Sequence, residues 1–189
     1  MKLLSIALTF ICFTNFSFAQ EKQFVLNNKT SEFPTQFVVL DVDSTSVSEL
    51  YDGVIKWINI NYNSPSKVIK SKIEDEYIRI EGVASNLYSY DALGAMFADV
   101  KYTIEFAFKE SRVKFEVINT DFYITPDRYV TGGWTNIVFK TSKLYRSNGS
   151  PKKQKLKSAN RVLTYFNDLS SELEIYLNKP ADSSSDSDW

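Results

Sequence analysis

The ribbon "YTIEFAFKESRVKFEVIN" (Tyr102 to Asn119) alternates apolar and polar residues on either side of a short charged turn. Folded back with Phe108 beside Val113 and Phe106 beside Phe115, it sets Glu105 opposite Glu116 at the ~5 Å spacing of a cross-strand pair. Two carboxylates so placed are the equipment of glycoside hydrolysis, one as acid and the other as base or nucleophile. That chemistry needs one of them pushed toward neutrality by burial, and a cleft that holds a sugar. A solvated sheet face with Lys101 and Lys114 alongside supplies neither, so the pair reads as charge that keeps the sheet soluble.

Other catalytic patterns are missing. No serine sits in a Gly-x-Ser-x-Gly elbow, and a serine hydrolase here would need a lysine base. No Gly-rich phosphate loop follows a strand and opens a helix. Asp182, Asp186 and Asp188 are spaced like carboxylates that catch calcium, but the segment lacks the glycine turn and closing glutamate of a calcium loop. No catalytic residue, metal site or cofactor is therefore assigned.

Aromatic residues, 15% of the chain, are the more suggestive group. Tyr88, Tyr90, Tyr129 and Trp134 fall in irregular segments, where such side chains form binding surfaces for a glycan or protein. The competing reading makes them a roof over the open end of the core. "PKKQKLK" (Pro151 to Lys157) is a basic patch opening a helix, suited to an anionic partner or to plain solvation. Asn28-Lys29-Thr30 and Asn148-Gly149-Ser150 match the glycosylation sequon, which matters only in a eukaryotic secretory host.

These residues must be positioned by one domain. The chain opens "MKLLSIALTFICFTNFSFAQ": Lys2, an apolar run from Leu3 to Phe13, and the small-x-small Ser17-Phe18-Ala19. That is the pattern of a secretory signal peptide over residues 1–19, with an apolar run short of the ~20 residues of a membrane span. Cys12 is the only cysteine and there is no histidine. After cleavage, disulfides, thiolate nucleophiles, Cys/His zinc sites and histidine-based triads are all excluded. About 170 residues suffice for a single hydrophobic core. With 22 basic against 23 acidic residues, a broad nucleic-acid footprint is absent.

Along the chain, residues 20–34 form an arm or edge strand and 35–178 a single domain, followed by an acidic Ser/Asp tail over 179–189 read as disordered. "TQFVVLDVD" reads as a buried strand. Ser46 and Glu49 make a capping box for a helix whose Val47, Leu50, Tyr51, Val54 and Ile58 share one stripe. "KVIKSKIEDEYIRIEG" predicts a hairpin with Asp75-Glu76 as turn, Lys70 opposite Glu81 and Lys72 opposite Arg79. "VASNLYSYDALGAMFAD" extends the strands or loops over one end of the sheet. After the Tyr102–Asn119 ribbon, the apolar parity flips to Phe122 and Ile124, which predicts a bulge or strand end near Asn119. Residues 125–152 are irregular, with a short strand at "NIVFK", and a helix runs over 153–177 with Leu156, Ala159, Leu163, Phe166, Leu169, Leu173 and Tyr176 on one face. Strand, helix, four strands and helix make an α+β fold, with both helices on one face of an antiparallel sheet.

The succession "YDGVIKWININ…KVIKSKIEDEYIRIEG…ALGAMFADVKYTIEFAFKESRVKFEVIN" resembles the domain of unknown function 4468 family of exported Bacteroidetes proteins. The resemblance covers about residues 37–124. It implies a TATA-binding-protein-like (TBP-like) β-α-β4-α architecture with a curved sheet, and it carries no catalytic or binding residues. One departure is Glu110-Ser111 where the family's ribbon turn has Asp-Gly. Fold does not imply function, so nothing about DNA follows. The expected function is a periplasmic or cell-surface binding module without catalysis, its partner a protein, glycan or small ligand. Nucleic acid and a membrane span in the processed chain are not expected. Alternatives are an envelope-polymer hydrolase using carboxylates or a Ser/Lys pair, and a carrier of a small apolar ligand between sheet and final helix.

Overall fold

Ser46 opens the first helix by exchanging bonds with Glu49. Its hydroxyl oxygen accepts from the Glu49 backbone N–H, while the Glu49 carboxylate accepts from the Ser46 hydroxyl and N–H. Donors that a first turn leaves orphaned are thereby satisfied. The Ser46 hydroxyl and then its N–H hold the Glu49 carboxyl below its ordinary range. The computed structural model describes residues 23–26, 37–92 and 94–179. The expected signal segment, the first sequon and the tail from residue 180 lie outside the described residues.

In order, the elements are β1 (Phe37–Asp41), α1 (Val47–Asn61), a one-turn α2 (Pro65–Val68), β2 (Ile69–Ile73), β3 (Tyr77–Ala92), β4 (Gly94–Lys109), β5 (Arg112–Ile124), β6 (Gly133–Asn136), a one-turn α3 (Thr141–Leu144) and α4 (Lys153–Leu177). The strands form one antiparallel sheet in the order β1-β5-β4-β3-β2, and β6 adds to the far part of β5. Helices α1 and α4 cover one face. Trp57 of α1 meets Phe106 edge-on at 6.3 Å, Tyr51 meets Phe108 at 5.6 Å, and Phe166 of α4 meets Tyr102 at 5.5 Å. Gly53 lets the helices approach, because a Cβ there would lie 2.6 Å from a Leu177 methyl.

The core is built from the inward residues that alternation selects: Tyr102, Ile104, Phe106 and Phe108 of β4 with Val113, Phe115 and Val117 of β5. Trp57, which the helical stripe read from sequence left out, is only 2% exposed. The other addition is Phe24. Its ring packs edge-on against Phe115 and Phe166, and its backbone is bonded in both directions by the Asn167 side-chain amide.

Three expectations need correction. Ile73 pairs with Tyr77, so the β2–β3 connection has a three-residue loop and not an Asp75-Glu76 turn. A two-residue turn of the favoured hairpin type wants Asn-Gly or Asp-Gly; the longer loop needs one left-handed residue, and Asp75 supplies it at φ 58°. Lys72 consequently pairs with Ile78 and not Arg79, and a register shift at Lys70 restores Ile69 beside Ile80. Lys70 still reaches Glu81, at 3.3 Å, while Ile73 is exposed.

The second correction moves the short strand from "NIVFK" to Gly133–Asn136, which leaves Ile137 and Phe139 to fill the core beyond it. Gly132 sets this placement, since a Cβ there would meet the Pro126 ring at 2.5 Å and the Ile124 carbonyl at 2.8 Å. Third, the region 125–152 is more ordered than its turn-rich composition suggests, because it holds both β6 and α3.

The long hairpin and the bulge follow the pattern. Strands β3 and β4 stay paired as far as Ala92 and Gly94. Ile104 faces Val117 while Thr103 faces Asn119, so Ile118 is the extra residue that flips the parity.

Candidate functional site

The carboxylate pair has the register expected of it, Glu105 directly across from Glu116. Each is engaged by a cation of its own. Arg79 donates to Glu105 through Nε at 3.0 Å and Nη2 at 2.6 Å, and the Lys114 ammonium bonds Glu116 while lying 4.6 Å from the centre of the Phe37 ring. Both carboxylates sit on the sheet face away from α1 and α4, each tied into surface charge. An acid–base pair requires one member in an apolar pocket, separated in environment from the other. Here the two environments are alike.

Four aromatic residues from irregular sequence were candidates for one recognition surface, and the sheet divides them. Tyr88 and Tyr90 are half-buried with their rings on Phe122, at 4.6 and 5.6 Å. Trp134 packs on Tyr123 at 5.3 Å, with the Lys101 ammonium 4.8 Å from the ring centre. Phe122 and Tyr123 are neighbours in β5, and adjacent strand residues point to opposite faces. The tyrosine pair and the tryptophan are therefore back to back. Tyr129 stands apart, 86% exposed, in a turn where the Asp127 carboxylate accepts from the N–H groups of Tyr129 and Val130.

The hydroxyls of buried Tyr102 and of half-buried Tyr62 and Tyr165 form a chain where α1, β4 and α4 meet. Tyr102 Oη lies 3.1 Å from Tyr62 Oη and 2.9 Å from Tyr165 Oη. Burial, more than any other influence, pushes all three phenols well above their ordinary range. None is a base at neutral pH. Gly82 makes room for this cluster, because a Cβ on it would stand 2.4 Å from the Tyr102 ring.

What sequence reasoning did not assemble is the end of the molecule where the β3–β4 hairpin crosses the first turns of α4. Ser158 donates to the Ser89 carbonyl at 2.6 Å and Gln154 to the Ser89 hydroxyl at 2.8 Å, both serines being buried. Arg161 donates to the Asn86 carbonyl at 3.1 Å and lays its guanidinium 5.2 Å from the centre of the Phe97 ring. Beside these contacts runs an open groove of about 650 Å³, lined by Leu87, Leu156, Lys157, Arg161, Tyr165 and Asp168 among others. The surrounding surface is cationic. Between Asp127 and Asp168 the chain has nine lysines and arginines and no acidic residue. Those between 140 and 161 form no ion pair among the described residues. "PKKQKLK" was the visible part of this feature; the acid-free run around it is the signal that would have given its extent.

An antiparallel, curved six-stranded sheet with its helices on one face defines an α+β domain of TBP-like fold. Residues 37–123 match the model of the family described as a domain of unknown function (DUF4468) with TBP-like fold. Two solved structures share the architecture. A DUF4468 family protein from Bacteroides ovatus superposes with a TM-score of 0.59 at 14% identity, over 77% of this chain and 86% of that one. A TBP-like protein from Parabacteroides distasonis gives 0.53 at 13% identity, over 75% and 90%. No curated protein matches the chain.

Proposed function

We propose that the chain is an exported binding module without catalytic activity, and that its contact surface is the end where α4 begins against the β3–β4 hairpin. The observation that carries this reading is the cationic run from 128 to 167, unbroken by any acid, three of whose members, Lys153, Lys157 and Arg161, line an open groove. Cations left without carboxylate partners are the usual footprint of a partner that supplies the negative charge. Export is supported by the opening sequence, Lys2 followed by an apolar run and Ser17-Phe18-Ala19. Among the described residues no helix is long and apolar enough to cross a membrane.

Nothing in the geometry favours the hydrolase or the apolar carrier. Glu105 and Glu116 are each tied to a cation, and Phe24, Tyr102, Phe115 and Phe166 fill the space between sheet and α4. Incubation with peptidoglycan and with neutral and acidic polysaccharides, followed by assay of newly released ends, tests the point. No release above a heat-denatured control is expected. Release that disappears in Glu105→Gln or Glu116→Gln would replace the binding module with a hydrolase.

A further inference from the structure

The hairpin and α4 bring together two kinds of surface. On the hairpin, Phe97 is 55% exposed. Pairing of β4 with β5 ends at Val100 and Phe122, so beyond it β4 keeps only β3 as a partner. Alongside, Lys153, Lys157 and Arg161 follow one another at one-turn intervals on the groove side of α4. Lys153 and Lys157 have no acidic partner among the described residues. Arg161 ties the two surfaces together through Phe97 and the Asn86 carbonyl.

We propose that this end of the molecule docks on an anionic phospholipid surface, with Phe97 entering the boundary between headgroups and acyl chains and Lys153, Lys157 and Arg161 meeting the phosphates. The proposal rests on the binding-module reading and gives its partner a chemical class. A soluble acidic polymer would use the cations but leave the exposed Phe97 without a role. An apolar protein groove would use Phe97 but not the lysines beside it. Anionic lipid answers both, since interfacial binding adds apolar burial to attraction between basic side chains and headgroups. Each lysine close to such a surface raises the partition coefficient by roughly fivefold.

The test is vesicle flotation with the chain from Gln20 onward, which keeps every described residue and removes the apolar opening segment. Vesicles of phosphatidylcholine alone are compared with vesicles that also contain phosphatidylglycerol, at low and high salt. Flotation is expected only with the anionic vesicles and is expected to weaken with salt. The double change Lys153→Glu/Lys157→Glu should lower the partition more than about tenfold. Phe97→Ser, at an exposed position, should lower it severalfold with an unchanged melting temperature. A folded protein that stays with the soluble fraction overturns the proposal, as does flotation that neither the lysine nor the Phe97 change affects. Retention on dextran sulfate without flotation also overturns it, while leaving the binding module standing; only release of fragments from a polymer would remove that.

Discussion

Tyr102 joins what the sequence states plainly to what it does not. Its place on the inward face follows from alternation along β4, but its hydroxyl partners lie 40 and 63 residues away in Tyr62 and Tyr165. No local pattern encodes such contacts. Gly82 is the complementary case: an inward glycine in a strand of β-branched neighbours, present because the Tyr102 ring occupies the place of its Cβ. Gly82→Ala overpacks a rigid site and is expected to cost about 1–3 kcal/mol, read from the denaturant midpoint. Tyr102→Phe leaves two half-buried hydroxyls short of a partner and should cost about 1 kcal/mol in the same measurement. The raised phenols also fix a pH dependence. Their folded-state values lie above the ordinary 10.0 of the unfolded chain, so the unfolded state loses protons first. Their stabilisation is full below pH 10 and declines as pH rises beyond it. Alkaline titration of stability should show this decline, and Tyr102→Phe should make it shallower.

At the scale of elements, legibility follows how local the causes are. The capping box and apolar stripe of α1, and the bounds of α4, come from contacts within a few residues, and both helices stand where their patterns place them. The β4–β5 ribbon is equally plain, because a slip of one residue would expose Phe106 and Phe115. The β2–β3 loop and β6 were misread because the first depends on which residue accepts a left-handed conformation and the second on how residues 125–132 close. The candidate aromatic residues are divided for a related reason: whether Tyr88, Tyr90 and Trp134 share a face depends on the register of β3 and β6 against strands distant in sequence. Ser111 is the residue that turns β4 into β5, at φ 59°. Ser111→Gly should relieve the left-handed strain and raise stability by ~0.5–1 kcal/mol, seen as a higher melting temperature. A fall would mean that the Ser111 side chain contributes more than its backbone costs.

For the whole molecule, two features close the fold and orient it. Residues 23–26 sit where Phe24 packs against Phe115 of the sheet and Phe166 of α4, a docking that the sequence pattern, which reads as an arm or edge strand, does not specify. Phe24→Ala is expected to cost about 3–5 kcal/mol, measured by chemical denaturation; a loss under 1 kcal/mol would mean that this stretch does not dock. The other feature is the distribution of charge. The sheet face away from the helices carries paired charges, Arg79 with Glu105 and Lys114 with Glu116, whereas the first half of α4 carries cations without acids. Function is assigned to the second surface and solubility to the first. The most direct measurement compares flotation on anionic vesicles for Lys153→Glu/Lys157→Glu and for Glu105→Gln/Glu116→Gln, both checked for an unchanged melting temperature. The expected result is loss of association in the lysine variant and retention in the glutamate variant; retention in the first with loss in the second would contradict the assignment.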